Sequence, residues 1–199
     1  MSPLAHFIGS WLVASATTEN SRDRKLITLA GVAPDLDGLG MAVDIARSFA
    51  SGEPNNYQFY QHYHHLLCHG WPGALVICGL LAWFARNRSR TFLLCLVTFH
   101  LHLLCDLLGS RGPSPGDLWP ILYSEPLFRR PMWFWKSQWR LDGWQNQIIF
   151  VVLFVTSLWR AVRTGSSFVE VVSQKGDAVF VGVLRKWSAA RRFARHRPE

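Results

Sequence analysis

The chain has 199 residues, enough for one domain with a real core, yet charged side chains make up only 17% of it, against roughly 25% in an ordinary soluble domain. Apolar residues reach 49%, and a mean hydropathy of only +0.09 hides their clustering into long runs, so a soluble domain gives way to a membrane protein as the first reading. Cys68, Cys78, Cys95 and Cys105 all lie in apolar runs without Cys-x-x-Cys spacing, which leaves no disulfide framework and makes them small buried residues.

From the N-terminus, residues 4–16 form a short apolar helix with His6 near its start. No basic segment precedes it, so it reads as a packed or partly inserted helix that stays in the mature protein rather than as a signal peptide. A polar turn with Arg22, Arg24 and Lys25 follows, and a second apolar helix ends at Pro34-Asp35-Leu36-Asp37-Gly38. Counting back from a turn centred near residue 21 or 22 brings His6 level with about residue 37. This first hairpin therefore sets His6 beside Asp35 and Asp37 at its open end. Carboxylates two residues apart diverge on a regular helix, so this pair belongs at a break, where both can reach one cation. An EF-hand is rejected, because Gly38 comes too early and the twelfth loop position is Ala46.

Residues 48–61 are a polar linker expected to run along the membrane surface. Then come Tyr63-His64-His65-Leu66-Leu67-Cys68-His69, an apolar run to Ala85, an Arg-rich turn (Arg86, Arg88, Arg90) and a second apolar run containing His100, His102 and Asp106. His65 and His69 are four apart, as are His102 and Asp106, so each pair shares a helix face. Folding the two runs about residue 88 brings His69 abreast of Asp106, with His65 and His102 each about one turn away. Imidazole and carboxylate ligands converging from facing helices are what a metal site in a helix bundle needs.

Residues 66–85, 91–109 and 146–163 each approach the roughly 20 residues that cross a bilayer core. Between the second and third, residues 109–145 carry Trp119, Trp133, Trp135, Trp139 and Trp144 among prolines. These are either interfacial anchors or the wall of a substrate site. From Arg160 to Glu199 nine Lys/Arg face three acids, +6 of the chain's +8. This tail is either an amphipathic basic helix on anionic lipid or, around its valines, a hairpin. Beside three apolar spans, lipid is favoured over nucleic acid as its partner.

The expected architecture is an all-α, small polytopic membrane helix bundle. Two helical hairpins and a third spanning helix form a membrane-embedded domain (1–163), and residues 164–199 form the basic tail. Its basic turns mark the turn ends as cytoplasmic by the positive-inside rule.

The pieces Pro34-Asp35-Leu36-Asp37, His64-His65-Leu66-Leu67-Cys68-His69, His102-Leu103-Leu104-Cys105-Asp106 and Leu118-Trp119-Pro120 resemble, in order, those of the YdjM-like bacterial membrane-bound metal-dependent hydrolases. That family is distantly similar to zinc-dependent phospholipase C and to fungal single-strand nucleases. The resemblance covers about residues 1–122. It matches His6, Asp35, Asp37, His64, His69, His102 and Asp106 to family positions, while His65 stands where Arg is usual and Leu66 and Cys68 replace Gly and Thr. The motif favours His64 as ligand and the spacing favours His65.

The resemblance implies a bacterial inner (plasma) membrane hydrolase. A divalent metal, zinc by its ligand types, would be held by His6, Asp35, Asp37, His64 or His65, His69, His102 and Asp106. Asp35 or Asp37 would serve as general base, and the substrate would be a phosphoester, lipid or lipid-linked ester. The alternative is a non-catalytic membrane metal-binding or ion-transport protein, since intramembrane His and Asp also mark ion paths. A zincin is set aside because no Glu follows His65, and a di-iron desaturase because there is only one His-x-x-x-His.

Overall fold

Helix α1 (Pro3–Thr17) begins where Ser2 accepts the Ala5 N–H (3.3 Å), with Pro3 opening the first turn. Helix α2 (Ser21–Ala30) is capped in the same way by Asn20, whose side chain accepts the Asp23 N–H at 3.1 Å. Pro34 cannot continue that helix, and the chain tightens into a 3-10 turn, Ala33–Leu39, before resuming as α3 (Gly40–Ser51). Short α4 (Gln58–Tyr63) is started by buried Asp44, which accepts the N–H groups of Phe59 (3.0 Å) and Tyr60 (2.8 Å). Helices α5 (Trp71–Trp83) and α6 (Arg88–Gly109) form the central hairpin, and α7 (Trp144–Thr164) follows a long irregular segment. A 3-10 turn, Phe168–Val171, leads into α8 (Gln174–Arg195). This is a computed structural model, and it describes residues 1–52, 54, 57–63, 68–128, 130 and 132–195, less the side chains of 61–63 and 191–195. His64 and His65 lie outside the described residues.

The fold is an all-α bundle. Among the described residues the only β pairings are isolated bridges, Arg111–Arg140 and Ile121–Trp133, inside the long segment. Helix α2 is the shared element, packing on α1, on α5 and on α6. Ala14, Ile27, Ala30, Ala74, Cys78, Cys95, Phe99, Leu103 and Ile121 form the core between the two hairpins. Small residues bring the backbones close, and Cys78 and Cys95 are buried while Cys68 and Cys105 are partly so, all as free thiols. At Gly31 an added Cβ would collide with the Ser10 side chain, so glycine there sets the α1–α2 distance.

Helices α6 and α7, at 22 and 21 residues, reach about 33 and 31 Å at roughly 1.5 Å per residue, enough for a core of about 30 Å. Each turns an apolar stripe outward: Leu93, Val97, Leu101 and Leu104 on α6, Ile148, Val151, Val152 and Val155 on α7. The expected span over 66–85 is corrected. Its helix starts only at Trp71, where Gly70 packs against the backbone of Tyr123 and Pro72 opens the first turn, and its 13 residues cover only about 20 Å. A third apolar path exists instead through α2 and residues 33–51, bent by 51° at the Pro34 break. The tail is a helix rather than a hairpin, with Val179–Val183 inside α8.

Candidate metal centre

Four elements meet at the open ends of the hairpins. Helix α1 supplies His6 one turn in from its cap, the 3-10 turn supplies Asp35 and Asp37, the approach to α5 supplies His69, and α6 supplies His102 and Asp106 one turn apart. All of these side chains are buried except Asp35, which is partly so.

Two groups of three ligands each have all their ligand atoms within 4.8 Å of one another: His6, Asp35 and His102, and His69, His102 and Asp106. His102 belongs to both. Its Nδ1 lies 2.9 Å from the Gly31 carbonyl oxygen, which can only accept, so Nδ1 carries a proton and Nε2 is the nitrogen turned inward. That Nε2 sits 3.1 Å from Asp106 Oδ2 and 3.7 Å from Asp35 Oδ1, yet has no hydrogen-bond partner among the described residues. Two acceptors in buried contact require a proton or a cation between them. Asp35 Oδ2 is likewise buried without a partner there.

The rest of the cluster closes around Asp106. Its Oδ1 accepts the Ser110 hydroxyl at 3.0 Å, lies 3.2 Å from His6 Nε2 and is touched by the Met1 amino group. His69 Nε2 stands 3.9 Å from Oδ2. The His6 ring stacks on that of His102 with centroids 3.7 Å apart, so both present their edges to the same space.

Asp35 and Asp37 divide their roles. Successive residues of a 3-10 helix are about 120° apart, so positions i and i+2 face different neighbours. Asp35 turns to His102, while Asp37 Oδ2 lies 3.3 Å from His69 Nδ1 and accepts the Cys68 N–H at 2.8 Å. The expected register, with His6 level with Asp37, is therefore corrected: His6 meets Asp106 and Asp35, and Asp37 meets His69. A carboxylate behind an imidazole is the usual outer support of a metal-binding His. His100 is not part of the cluster, since its Nδ1 lies 2.8 Å from the Leu96 carbonyl and its Nε2 2.7 Å from the Tyr123 hydroxyl.

Three contributors escaped the sequence reading. The Gly31 carbonyl orients His102 although no side chain announces it. Ser110, one turn beyond Asp106, was readable from its spacing. Gln138 donates to the carbonyls of Asp106 (3.0 Å) and Leu107 (2.9 Å) and accepts the Trp119 N–H at 2.8 Å, tying the Trp119 loop to the end of α6. That loop forms one wall of a cavity of about 770 Å³ that opens beside Asp35 and Asp106, so Trp119 is the tryptophan that serves as a wall. Trp133, Trp135 and Trp144 are exposed, as interfacial anchors would be.

The donor set, imidazole nitrogen and carboxylate oxygen with outer supports on two histidines, could hold a metal ion. A family model described as "YdjM inner membrane protein" matches residues 1–170. The chain belongs to the YdjM inner membrane protein family, and its apolar helices fit that location. No curated protein and no solved structure matches it.

Proposed function

We propose that this inner-membrane protein is a metal-dependent hydrolase of phosphoesters or lipid-linked esters. The observation that carries this is the inward Nε2 of His102 beside Asp106 and Asp35, a contact that needs a proton or a cation, with both carboxylates lining a cavity large enough for a ligand. His69, His102 and Asp106 would hold a divalent ion, zinc by its ligand types, with His6 and Asp35 completing the site or holding a second one. When bound, such an ion lowers the pKa of water and polarises a phosphoryl or acyl oxygen.

The chain's own groups do the rest. Asp35 is the cluster carboxylate that lines the cavity and is partly accessible, so it is the group placed to take a proton from an attacking water. Asp37 acts through His69, holding its ring. Gly31 fixes the tautomer of His102. A transport reading would want polar groups along the depth of α6. His100, the next polar ring toward the turn, is instead bonded to Tyr123 and Leu96.

The test is elemental analysis of protein purified without chelator, followed by an ester panel with and without chelator. Bound zinc or a similar ion and chelator-sensitive hydrolysis are expected. Metal-free wild-type protein, or equal metal in Asp106→Ala, would sink the reading.

A further inference from the structure

Besides Asp35 and Asp106, the cavity beside the cluster has mainly apolar walls, among them Leu39, Met41, Trp119 and Leu141. Leu39, Met41 and Leu141 are themselves exposed at its mouth, and the exposed apolar residues Val43, Ile45 and Phe49 continue from it along α3. The space therefore runs from the cluster carboxylates Asp35 and Asp106 to an exposed apolar surface suited to acyl chains.

Two arginines stand at this cavity, and they differ. Arg140 is already neutralised by Asp142, with paired bonds of 2.8 and 2.6 Å. Arg111 makes no ion pair among the described residues. Its Nη1 donates to the Ser114 carbonyl at 3.2 Å, and its Nε is buried without a hydrogen-bond partner. Its backbone is fixed on both sides, with its N–H donating to the Trp139 carbonyl at 3.1 Å and its carbonyl accepting the Leu141 N–H at 2.9 Å. A guanidinium without an acid among the described residues, rooted in fixed backbone at the cavity wall and one residue beyond Ser110 of the cluster, is a cation placed to meet an oxyanion in the cavity.

We infer that Arg111 binds the phosphate of an anionic lipid whose acyl chains lie along the Leu39–Met41–Leu141 side of the cavity. The inference rests on the hydrolase reading for what happens next, since it sets the ester beside Asp35 and Asp106, but the binding itself is separately testable. A phosphate in the cavity would answer the charge of Arg111 beside its apolar walls. A neutral lipid would leave that charge unanswered, and free phosphate would leave the apolar walls unused.

The experiment measures equilibrium binding of dioctanoyl phosphatidic acid, dioctanoylglycerol and inorganic phosphate to full-length protein in detergent. Chelator is present, so that neither turnover nor metal contributes. Wild-type protein is expected to bind the phosphatidic acid at least tenfold more tightly than the diacylglycerol. Arg111→Gln should lose that preference, and Arg111→Lys should keep part of it. As-purified Arg111→Gln should retain the wild-type metal content. Equal binding of the two lipids by wild type, or unchanged preference in Arg111→Gln, would overturn the inference. So would displacement of the lipid by inorganic phosphate at equal concentration, which would mark a free-phosphate site. If Arg111→Gln does not fold, Arg111→Lys decides, because a merely structural charge would leave its preference intact. Arg111-dependent lipid binding in a protein that carries no metal would support the pocket while removing the hydrolase reading.

Discussion

The two ends of the bundle bury acidic side chains in contrasting ways. At the turn end, Asp23 accepts the N–H groups of Arg86 (2.8 Å) and Asn87 (3.2 Å), tying the α5–α6 turn to α2. Glu170 there accepts Arg24 twice (2.7 and 2.6 Å) and the Trp11 indole at 3.0 Å, while Asp177 accepts both the amide and the hydroxyl of Ser167. Every contact pairs a donor with an acceptor. At the open end, Asp106 accepts the Ser110 hydroxyl, yet it and Asp35 also face the inward nitrogen of His102, a contact that needs a proton or a cation. A buried carboxylate whose contacts are all donors fastens helices, and one that also crowds imidazole nitrogens is placed to share a cation with them. The distinction separates structural acids from candidate ligands within one small domain, where composition treats them alike.

The comparison can be broken at either end. Its largest expected effect is at the open end: Asp106→Ala should abolish metal retention, read by elemental analysis. On an ester the wild type cleaves, it should lower turnover on the order of a thousandfold, about 4 kcal/mol. Arg24→Ala at the turn end should do the opposite. Stranding buried Glu170 should cost about 3–5 kcal/mol in unfolding free energy, with metal per folded chain unchanged. If Arg24→Ala strips the metal, the two ends are not independent.

Asp37→Asn sharpens the contrast from within the site. As an outer support of His69 it should weaken metal affinity by about 10–100-fold while leaving the fold intact, measured by competition with a chelator. An effect as total as that of Asp106→Ala would make it a direct ligand instead.

The smallest effect is in pH. Burial alone would raise the Glu170 carboxyl, but hydrogen bonds from Arg24 and Trp11 outweigh it and hold the group below its ordinary 4.5. Its contribution to stability is therefore complete above about pH 4.5 and lost as pH falls through the lowered value. Glu170→Gln should flatten that part of the profile of thermal midpoint against pH, and parallel profiles would remove Glu170 from the account.

Much of the site was legible because helical spacing is arithmetic. The four-residue step from His102 to Asp106 and the count back from each basic turn place His6, Asp35, His69, His102 and Asp106 at one depth. Counting failed where the backbone leaves the α-helix. The 3-10 turn at residues 33–39 sends Asp35 and Asp37 to different partners, and Gly70-Trp71-Pro72 cuts short the helix that hydropathy alone extends back to residue 66. Hydropathy sees no hydrogen bonds, so the bent path through Pro34 was missed as a candidate crossing. Arg111, Gln138 and Gly31 were beyond reach for another reason. Their partners lie on other elements, and nothing in their local pattern selects those partners.

Gly31 also carries a warning for anyone engineering this protein. It caps α2 with φ −78°, a conformation open to alanine, so a search for entropy-based stabilisation would choose it, expecting a gain of about 0.4–1 kcal/mol. The space is already taken by Ser10. An added methyl group would wedge α1 from α2, and because the same residue's carbonyl holds His102, an apparently harmless thermostability design would disturb the candidate metal centre from a residue that is not itself a ligand.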